Sequence, residues 1–474
     1  MYRAKRLYLL LGVLVVVCAA AFLVLQMEER QEQIQTSGET VLEIDPDAVQ
    51  TLSWTYEDTT LSFHRDGTWL YDDDAAFPVD DEKIQELLEQ FQAFNAAFII
   101  TDVEDYGQYG LDDPQCTISL ATEDADYEIL LGNFSNMDEQ RYVSTGDGNV
   151  YLAVSDPLEY YDAALRDLID HDEIPSLDQV SELAFSGAEN YTIFYQEDSA
   201  STYSEEDVYF TQQSGRTVPL DTSRVEDYLD AVSNLGLTNY VTYNATEEEL
   251  QAYGLDDPEL TVTVSYSGED EEGETVSDTL VLHISRDPEE RAAAEAAAAE
   301  EAETDEDADS EEEITAYARV GESQIVYQIS GDDYNALTAA AYNDLRHREV
   351  IWADFADITQ IDVSLEGADY TITAQGSGDD RTYWYQEEEV DISDLQAALE
   401  GLEAEEFTSE QPSQQEEISL TVSLNNENFP QVQIQLYRYD GSSCLAVVDG
   451  EPVSLVLRSD AVDLMEAVRA IVLN

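Results

Sequence analysis

The sequence predicts an α+β fold: repeated units of mostly antiparallel β-sheet with short packed helices, preceded by one N-terminal transmembrane helix. Two observations predict the repeats, since Asp-Gly turns separate short β-type segments and a six-residue motif occurs twice, 144 positions apart. A third observation predicts the anchor, because 19 consecutive residues near the N-terminus carry no charge. A chain of 474 residues with 43% hydrophobic residues is long enough to form several cores.

The uncharged stretch runs from Leu7 to Leu25. As a helix it would be about 28 Å long, close to the thickness of the hydrocarbon layer of a bilayer. Charged residues flank it on both sides: Arg3, Lys5, Arg6, Glu28 and Glu29. The positive-inside rule therefore predicts a cytoplasmic tail at 1–6, a span at 7–25, a juxtamembrane linker at 26–40 and an extracytoplasmic remainder at the cell membrane.

Two other interpretations of the N-terminus remain open. The small residues Ala19–Ala21 offer a signal-peptide cleavage site, which would give a mature protein beginning near Phe22, but the apolar stretch continues through Leu25. Lipidation of Cys18 would need a small residue just before it, and Val15–Val17 provides none. A retained signal-anchor is the interpretation we adopt.

The repeated motif is Tyr109-Gly-Leu-Asp-Asp-Pro114, which recurs as Tyr253-Gly-Leu-Asp-Asp-Pro258. Before each copy, an aspartate (Asp80 or Asp221) precedes a helical pattern with one apolar face, and the aspartate is expected to be either the N-cap or an acidic residue of the first turn. A third, degraded copy follows after about residue 349; Val390–Ile392 opens its helix, and the six-residue motif is missing. The predicted units are 41–172, 173–348 and 349–474, and the second contains an acidic insertion at 286–313, expected to be helical at first and disordered through 304–312.

Shorter patterns predict the content of each unit. Leu61–Tyr71 is typical of a hairpin with Asp66-Gly67 as a two-residue turn, and Asp440-Gly441 and Asp449-Gly450 are expected to act in the same way. Three similar strands are predicted in the middle of the units: Cys116–Leu120, Leu260–Val264 and Ile418–Val422. Each unit is predicted to close with a strand followed by a helix.

These features resemble those of bacterial envelope proteins that contain domain of unknown function 4340. The resemblance rests on the basic N-terminus, the single span, the Tyr-Gly-Leu-Asp-x-Pro motif before a β-strand and the Asp344-Leu-Arg346 exit of the second unit. It covers nearly the whole predicted ectodomain. The resemblance implies a cell-envelope protein, in some members alongside ABC-type export or gliding-related components, and it implies no catalytic residues.

The charge of the chain restricts its partners. With 19 Lys+Arg against 106 Asp+Glu, the formal net charge is −87, which repels nucleic acid and anionic lipid headgroups. Divalent cations and basic proteins remain possible partners, although such a surface mainly confers solubility. Of three cysteines, only Cys116 and Cys444 lie in the ectodomain, so one disulfide at most is available there.

Candidate sites of chemistry each have a structural alternative. The paired aspartates of the repeated motif offer oxygen ligands to Ca²⁺, but a helix end followed by a turn explains the motif completely and is the preferred interpretation, and EF-hand spacing is absent. Acidic triplets at Asp72–Asp74 and Glu387–Glu389 are typical of solvated loops. The histidines are too scattered for zinc, and the two at unit junctions favour structural hydrogen bonds: His64, His171, His283 and His347. The tryptophans could stack on sugars, but Trp69 and Trp384 lie in matching hairpin strands, which favours packing.

No nucleophile elbow, P-loop, GxGxxG or zinc-protease motif occurs, and we therefore predict no catalytic, cofactor-binding or metal-binding residues and no enzyme activity. The leading hypothesis is a noncatalytic scaffold or accessory subunit of an envelope, transporter-type complex. The alternative is a surface module that binds Ca²⁺ or a cell-wall polymer through acidic loops and exposed aromatic residues.

Overall fold

The computed structural model describes residues 38–101, 103–136, 139–177, 179–269, 275–301, 314–376 and 381–473. In this part of the chain, no helix is both long enough and apolar enough to cross a membrane. The predicted tail, span and most of the linker, residues 1–37, lie outside the described residues, as does the 302–313 part of the acidic insertion. The chain divides between His171 and Asp172 into two compact units.

The first unit contains one nine-stranded sheet in the order β1-β5-β9-β8-β7-β6-β2-β3-β4. Its strands are β1 (Glu39–Leu42), β2 (Val49–Tyr56), β3 (Thr59–Asp66), β4 (Thr68–Tyr71), β5 (Phe94–Ile100), β6 (Cys116–Thr122), β7 (Asp126–Ser135), β8 (Gln140–Ser144) and β9 (Val150–Ala153). Its helices are α1 (Asp81–Glu89) and α2 (Leu158–Tyr161), with 3₁₀ turns at Pro46–Ala48, Gly107–Tyr109 and Leu165–Leu168.

The second unit contains two more nine-stranded sheets, ordered β13-β12-β11-β10-β15-β16-β17-β18-β14 and β22-β21-β20-β19-β24-β25-β26-β27-β23. The first of these is formed by β10 (Val180–Gly187), β11 (Tyr191–Tyr195), β12 (Tyr209–Gln213), β13 (Arg216–Pro219), β14 (Tyr240–Thr242), β15 (Leu260–Glu269), β16 (Thr275–Arg286), β17 (Ala316–Val320) and β18 (Val326–Ile329). The next is formed by β19 (Ile358–Leu365), β20 (Ala368–Gln375), β21 (Thr382–Tyr385), β22 (Glu388–Val390), β23 (Ala404–Phe407), β24 (Glu416–Leu424), β25 (Gln431–Arg438), β26 (Ser443–Val448) and β27 (Glu451–Leu457).

The helices of the second unit accompany these two sheets in chain order. They are α3 (Thr222–Ser233), α4 (Glu247–Ala252), α5 (Pro288–Glu301), α6 (Gly331–Thr338), α7 (Tyr342–Leu345), α8 (Ser393–Glu400) and α9 (Arg458–Val472). Helix α5 is the described part of the acidic insertion, which is helical at first as predicted. We call the three sheets, with their helices, the first, second and third sheets.

The three sheets share one arrangement of eight strands. In each, a hairpin pairs with a central strand (β6, β15 or β24), which continues into a meander. The meander ends with β9, β18 or β27, and this last strand pairs with β5, β14 or β23. The pairings are antiparallel, as between β2 and β6, where Trp54 faces Ile118, and between β19 and β24, where Val363 faces Leu420. The first sheet differs by adding β1 at one edge, whereas the others add β13 or β22 at the opposite edge. The predicted α+β class with mostly antiparallel repeated sheets is confirmed.

One helix per sheet buries the apolar face that its sequence pattern predicts. Helix α1 buries Ile84, Leu87 and Leu88, and the equivalent faces of α3 and α8 are buried in the same way. Asp80 caps α1 by accepting hydrogen bonds from the N–H groups of residues 82 and 83, and Asp221 caps α3 through the N–H of Arg224. Both predicted caps are confirmed.

The hairpin turns differ in detail from the prediction. Asp449-Gly450 is a two-residue turn with both φ values positive, 50° and 84°, as predicted. Asp66-Gly67 is not, because Asp66 pairs directly with Thr68 and only Gly67 (φ 84°) has a positive φ. The hairpin itself is confirmed. At Asp440-Gly441 the connection is longer, and the Asp440 carboxylate accepts from the N–H groups of the two serines that follow the glycine.

Candidate functional site

A set of buried polar contacts surrounds His347, where the second sheet leads into the third. Asp207, in the connection before β12, is 2% exposed at its side chain and lies at the centre. Its Oδ1 is 2.9 Å from Nε2 of His347, and its Oδ2 accepts hydrogen bonds from Nε1 of Trp352, at 3.0 Å, and from the hydroxyl of Thr202. One carboxylate therefore joins a loop of the second sheet to the segment that enters the third.

Aromatic rings complete this cluster, which we call the His347 cluster: Thr202, Tyr203, Asp207, His347, Glu349 and Trp352. The rings of His347 and Trp352 are stacked, with centroids 4.1 Å apart and planes 8° apart. The ring of Tyr203 packs against that of Trp352, with centroids 4.8 Å apart, and the Tyr203 hydroxyl accepts a hydrogen bond from the main-chain N–H of Trp352. The imidazole is therefore held in one orientation by a ring stack and a hydrogen bond.

The electrostatics of the cluster favour a protonated histidine. Burial alone would lower the pKa of His347, but the hydrogen bond to Asp207 and the nearby Glu349 carboxylate outweigh it and raise the pKa to about 9. In turn, the His347 side chain lowers the pKa of Glu349 to about 2. Nδ1 of His347 is 3.8 Å from Oε2 of Glu349, which is the separation of an ion pair and too long for a hydrogen bond.

Asp221, His347 and Glu349 place one possible metal-ligand atom each within 4.8 Å of one another. A metal ion at this position would have to displace a proton from His347, and the raised pKa of about 9 opposes that at neutral pH. The Asp221 carboxylate also caps α3 and lies 3.3 Å from Nε of Arg224. The arrangement is therefore a partly buried ion cluster that joins two sheets, with more carboxylates than cations.

A second polar site recurs at the same position of all three sheets, at the start of the central strand. In the first sheet, Gln115 and the carbonyl of Gly132 accept from Nη1 of Arg141, both at 2.6 Å, while Nε of Arg141 lies 2.6 Å from Asp156. In the second sheet Glu259 takes the place of Gln115 and lies 3.5 Å from Nε of Arg291.

In the third sheet the corresponding residue is Glu417, which pairs with Arg438 at 3.2 Å and with Arg458 at 3.4 Å. The arginines come from different strands and helices, but each time they reach the residue at the start of the central strand. This repeated site therefore connects the start of the central strand to neighbouring parts of the same sheet in all three cases.

The aspartates of the repeated motif behave as a helix end and a turn. Helix α4 begins after Thr246, whose hydroxyl accepts from the N–H of Glu249, and ends before Gly254, which adopts φ 70°. Leu255 is 4% exposed and donates its N–H to the carbonyl of Leu250 at 2.8 Å. Gly110 and Leu111 repeat this geometry in the first sheet, with φ 71° and 4% exposure.

His64 and His283 lie in different sheets. Asp72 pairs with His64 at 2.6 Å on an exposed hairpin, and His283 contacts the hydroxyl of Thr261 at 3.0 Å within a sheet. Burial, helped by Arg319, lowers the pKa of His283. His347 makes the structural hydrogen bond that its place at a junction predicts.

Trp69 and Trp384 lie in matching strands, β4 and β21, but at neighbouring register positions. Trp69 is 4% exposed and belongs to the core of its sheet, as the packing interpretation expects. Tyr71 and Tyr385 occupy equivalent positions opposite Phe63 and Ile372, so the residue equivalent to Trp69 in the third sheet is a tyrosine. Trp384 consequently points to the other face, where its Nε1 donates to Thr382 at 3.0 Å.

Cys116 and Cys444 are free thiols buried in the cores of their own sheets. Burial raises the pKa of Cys116 to about 12 and the pKa of Cys444 to about 11. Neither is therefore a thiolate at neutral pH, and neither is poised for nucleophilic chemistry.

Asp207, Thr202 and Tyr203 were not identifiable from the sequence, because an aspartate in an acidic chain carries no signal of burial. The available signal was the pair His347 and Trp352 at a unit junction, since these residue types are few among so many acidic residues.

Comparison with known proteins identifies the family. The family described as "Domain of unknown function (DUF4340)" matches residues 69–258 and 211–421. Each match begins in equivalent strands, at Trp69 in β4 and at Thr211 in β12, and runs into the next sheet, so the family unit is offset from the sheet. No curated protein and no solved structure was found to match the chain. The two matches span most of the chain, which belongs to the DUF4340 family.

Proposed function

We propose that this protein is a noncatalytic, membrane-anchored extracytoplasmic scaffold or accessory subunit of an envelope complex of the transporter type. The observation that carries the proposal is the distribution of charge over a repeated β-framework. Most of the few described cationic side chains are engaged within the framework, and the surface is left to carboxylates. Such a body suits the binding of basic protein surfaces.

In all three sheets, arginine side chains bond to groups of their own compact unit. Several arginines donate to main-chain carbonyls of their own compact unit: Arg65, Arg141, Arg224, Arg319, Arg348 and Arg381. Others pair with carboxylates: Arg291, Arg438, Arg458 and Arg469. Against 106 Asp+Glu, little positive charge therefore remains for contacts with an anionic partner.

Anchoring rests on the N-terminal sequence. The uncharged stretch Leu7–Leu25, with basic residues before it, supports a single span with the sheets on the outer side of the cell membrane. Protease treatment of intact spheroplasts tests this topology: the folded sheets should be degraded or released, while a tag placed before Met1 stays protected. A tag that is cleaved together with the sheets would overturn the topology.

Affinity purification from intact membranes after mild crosslinking tests the scaffold role. We expect one or a few membrane proteins to be recovered reproducibly and to be lost when the crosslinking is done above about 0.5 M salt, because screening weakens charge-driven contacts. A matched control carries the same anchor, residues 1–40, fused to an unrelated soluble domain. Recovery of the same proteins by the control, or of none by the full chain, would overturn the proposal.

A further inference from the structure

The segments that follow the closing helices of the first and second sheets dock in the same way, and we call them exit segments: residues 162–170 and 339–347. In the first sheet, the N–H of Asp80 donates to the carbonyl of Leu168 and the N–H of Asp170 donates to the carbonyl of Pro78, both at 2.9 Å. Val79 and Ile169 form a β-bridge between these bonds. The exit segment thus adds main chain beside the residues that open α1.

The second exit segment repeats the contact. The N–H of Asp221 donates to the carbonyl of Leu345 at 3.1 Å, and Leu345 is 3% exposed. Both segments contain the sequence Ala-x-x-Asp-Leu, in which the aspartate accepts from the alanine N–H. Two separate sheets therefore use the same short turn and the same leucine to fill this position.

The third sheet has a main-chain N–H at the corresponding position, but the residues around that N–H differ. Asp391 precedes the first buried residue of α8, Leu395, by four positions, as Asp80 precedes Ile84 in α1. Helix α9, at 15 residues, is longer than α2 and α6, and its last turns lie near Asp391. Among the described residues, no main-chain carbonyl accepts from the N–H of Asp391, and this residue is exposed.

A groove of about 1090 Å³ lies beside Val390 and Asp391, between the β21–β22 hairpin and the last turns of α9. This volume exceeds the roughly 300–1,000 Å³ that is usual for small-ligand pockets, so the groove has room for a peptide segment. Its apolar floor and its acidic rim are formed by Leu395, Ala467, Ile471, Val472, Glu387, Glu388, Glu389, Asp391 and Asp394.

We propose that this groove binds a short basic segment of a partner protein, which takes the place of an exit segment with a leucine on the floor and its main chain beside Val390 and Asp391. The inference deepens the proposed scaffold function and rests on it. Five carboxylates on the rim select a basic segment, and main-chain pairing with an apolar anchor is an established mode of peptide recognition.

A second copy of the chain is a poor occupant, because two bodies of net charge −87 repel each other. The basic residues at 3–6 are expected on the opposite side of the membrane. A separate basic protein in the envelope therefore fits the groove best.

A synthetic peptide with the sequence of residues 339–348, Ala-Ala-Ala-Tyr-Asn-Asp-Leu-Arg-His-Arg, serves as the probe because it is the more basic of the two exit segments. Its binding to the full chain in detergent is measured by calorimetry, and protection of the Asp391 amide by hydrogen exchange. We expect one site, protection at Asp391, and at least about tenfold weaker binding when the peptide's leucine is replaced by aspartate.

The matched protein variants reverse equal charge in two places. Glu387→Lys/Glu388→Lys/Glu389→Lys should weaken peptide binding at least about tenfold, whereas Asp72→Lys/Asp73→Lys/Asp74→Lys on the first sheet should change it less than about twofold. Absence of binding, equal weakening by both variants, or indifference to the leucine replacement would each overturn the groove assignment.

The membrane crosslinking experiment, repeated with the Glu387–Glu389 variant, separates the two proposals. Loss of the crosslinked partner supports the groove as its docking site. Undiminished recovery of the partner would overturn the groove assignment and leave the scaffold function standing, whereas a wild-type chain that recovers no partner while still binding the peptide would overturn the scaffold function alone.

Discussion

Two buried ion pairs, one in each compact unit, serve different purposes with similar geometry. Arg141 and Asp156 in the first sheet are 2.6 Å apart, with side chains 7% and 10% exposed. His347 and Asp207 in the second unit are 2.9 Å apart, with side chains 11% and 2% exposed. The arginine pair lies within one sheet, whereas the histidine pair connects a loop of the second sheet to the entry of the third.

The difference between the cations decides how each pair responds to pH. The arginine guanidinium keeps its proton at any pH that a protein survives, so its pair is permanent. The imidazole can lose its proton, so the charge that joins the second and third sheets depends on conditions. The ion pair between the second and third sheets therefore depends on pH through its histidine, whereas the cation of the pair within the first sheet keeps its charge.

Removing the carboxylate charge should produce the largest difference in stability between the two ion pairs. Asp156→Asn should lower the free energy of unfolding of the first unit by about 3–5 kcal/mol at pH 7, because it leaves the buried Arg141 without its counter-charge. Asp207→Asn should cost less, about 2–3 kcal/mol, because His347 can release its proton. Urea unfolding followed by hydrogen exchange of peptides from each unit measures both values. Equal costs for the two variants would contradict the distinction.

The pH dependence of the second unit should follow the His347 cluster. The pKa of His347 in the folded state, about 9, is above the ordinary value of 6.5, so its stabilisation is complete below about pH 6.5 and is lost as the pH rises through 9. Between pH 6 and pH 10 the free energy of unfolding should fall by about 2–3 kcal/mol on this account.

His347→Gln is the control for that measurement. Glutamine retains a hydrogen-bond donor for Asp207 but does not titrate, so the fall between pH 6 and pH 10 should be reduced to the background shown by the first unit. The low pKa of Glu349, about 2, predicts a separate loss on the acid side, as the pH falls from about 4.5 through 2. Identical pH profiles for the wild type and the variant would exclude His347 as the titrating group.

A smaller effect is expected from the ring that orients the imidazole. Trp352→Phe should lower the free energy of unfolding of the second unit by about 1–2 kcal/mol, since it deletes the Nε1 hydrogen bond to Asp207 but keeps a ring to stack on His347. Trp384→Phe, which deletes only a 3.0 Å bond to the neighbouring Thr382, is the matched control and should cost less. A larger cost at Trp384 would show that the Asp207 bond contributes little.

Local patterns were enough to predict much of the fold. The apolar face of α1, the caps at Asp80 and Asp221, and the glycine turn at Gly254 are all encoded within about ten residues, where periodicity and backbone preferences act directly. Because Tyr-Gly-Leu-Asp-Asp-Pro recurs, the elements predicted for the first repeat unit could also be predicted for the second repeat unit. Asp66-Gly67 shows the limit, because the register of the strands allowed only the glycine to take positive φ.

The polar clusters required the tertiary structure. Asp207 and His347 are 140 positions apart, and with 106 acidic residues in the chain no composition or spacing rule marks Asp207 as buried. The groove beside Asp391 could not be predicted from the sequence either, because it is formed by the β21–β22 hairpin and the last turns of α9, which are far apart along the chain. Patterns along a single sequence carry no information about which distant positions come into contact.

The exposed counterpart of these buried pairs gives the smallest prediction. His64 and Asp72 are 2.6 Å apart, closer than His347 and Asp207, but their side chains are 46% and 43% exposed. Water solvates both partners when the contact is lost, so His64→Gln should change the free energy of unfolding of the first unit by less than about 1 kcal/mol. Urea unfolding of the variant and of the wild type measures this difference. A cost as large as that of His347→Gln would mean that distance rather than burial sets the strength of these pairs.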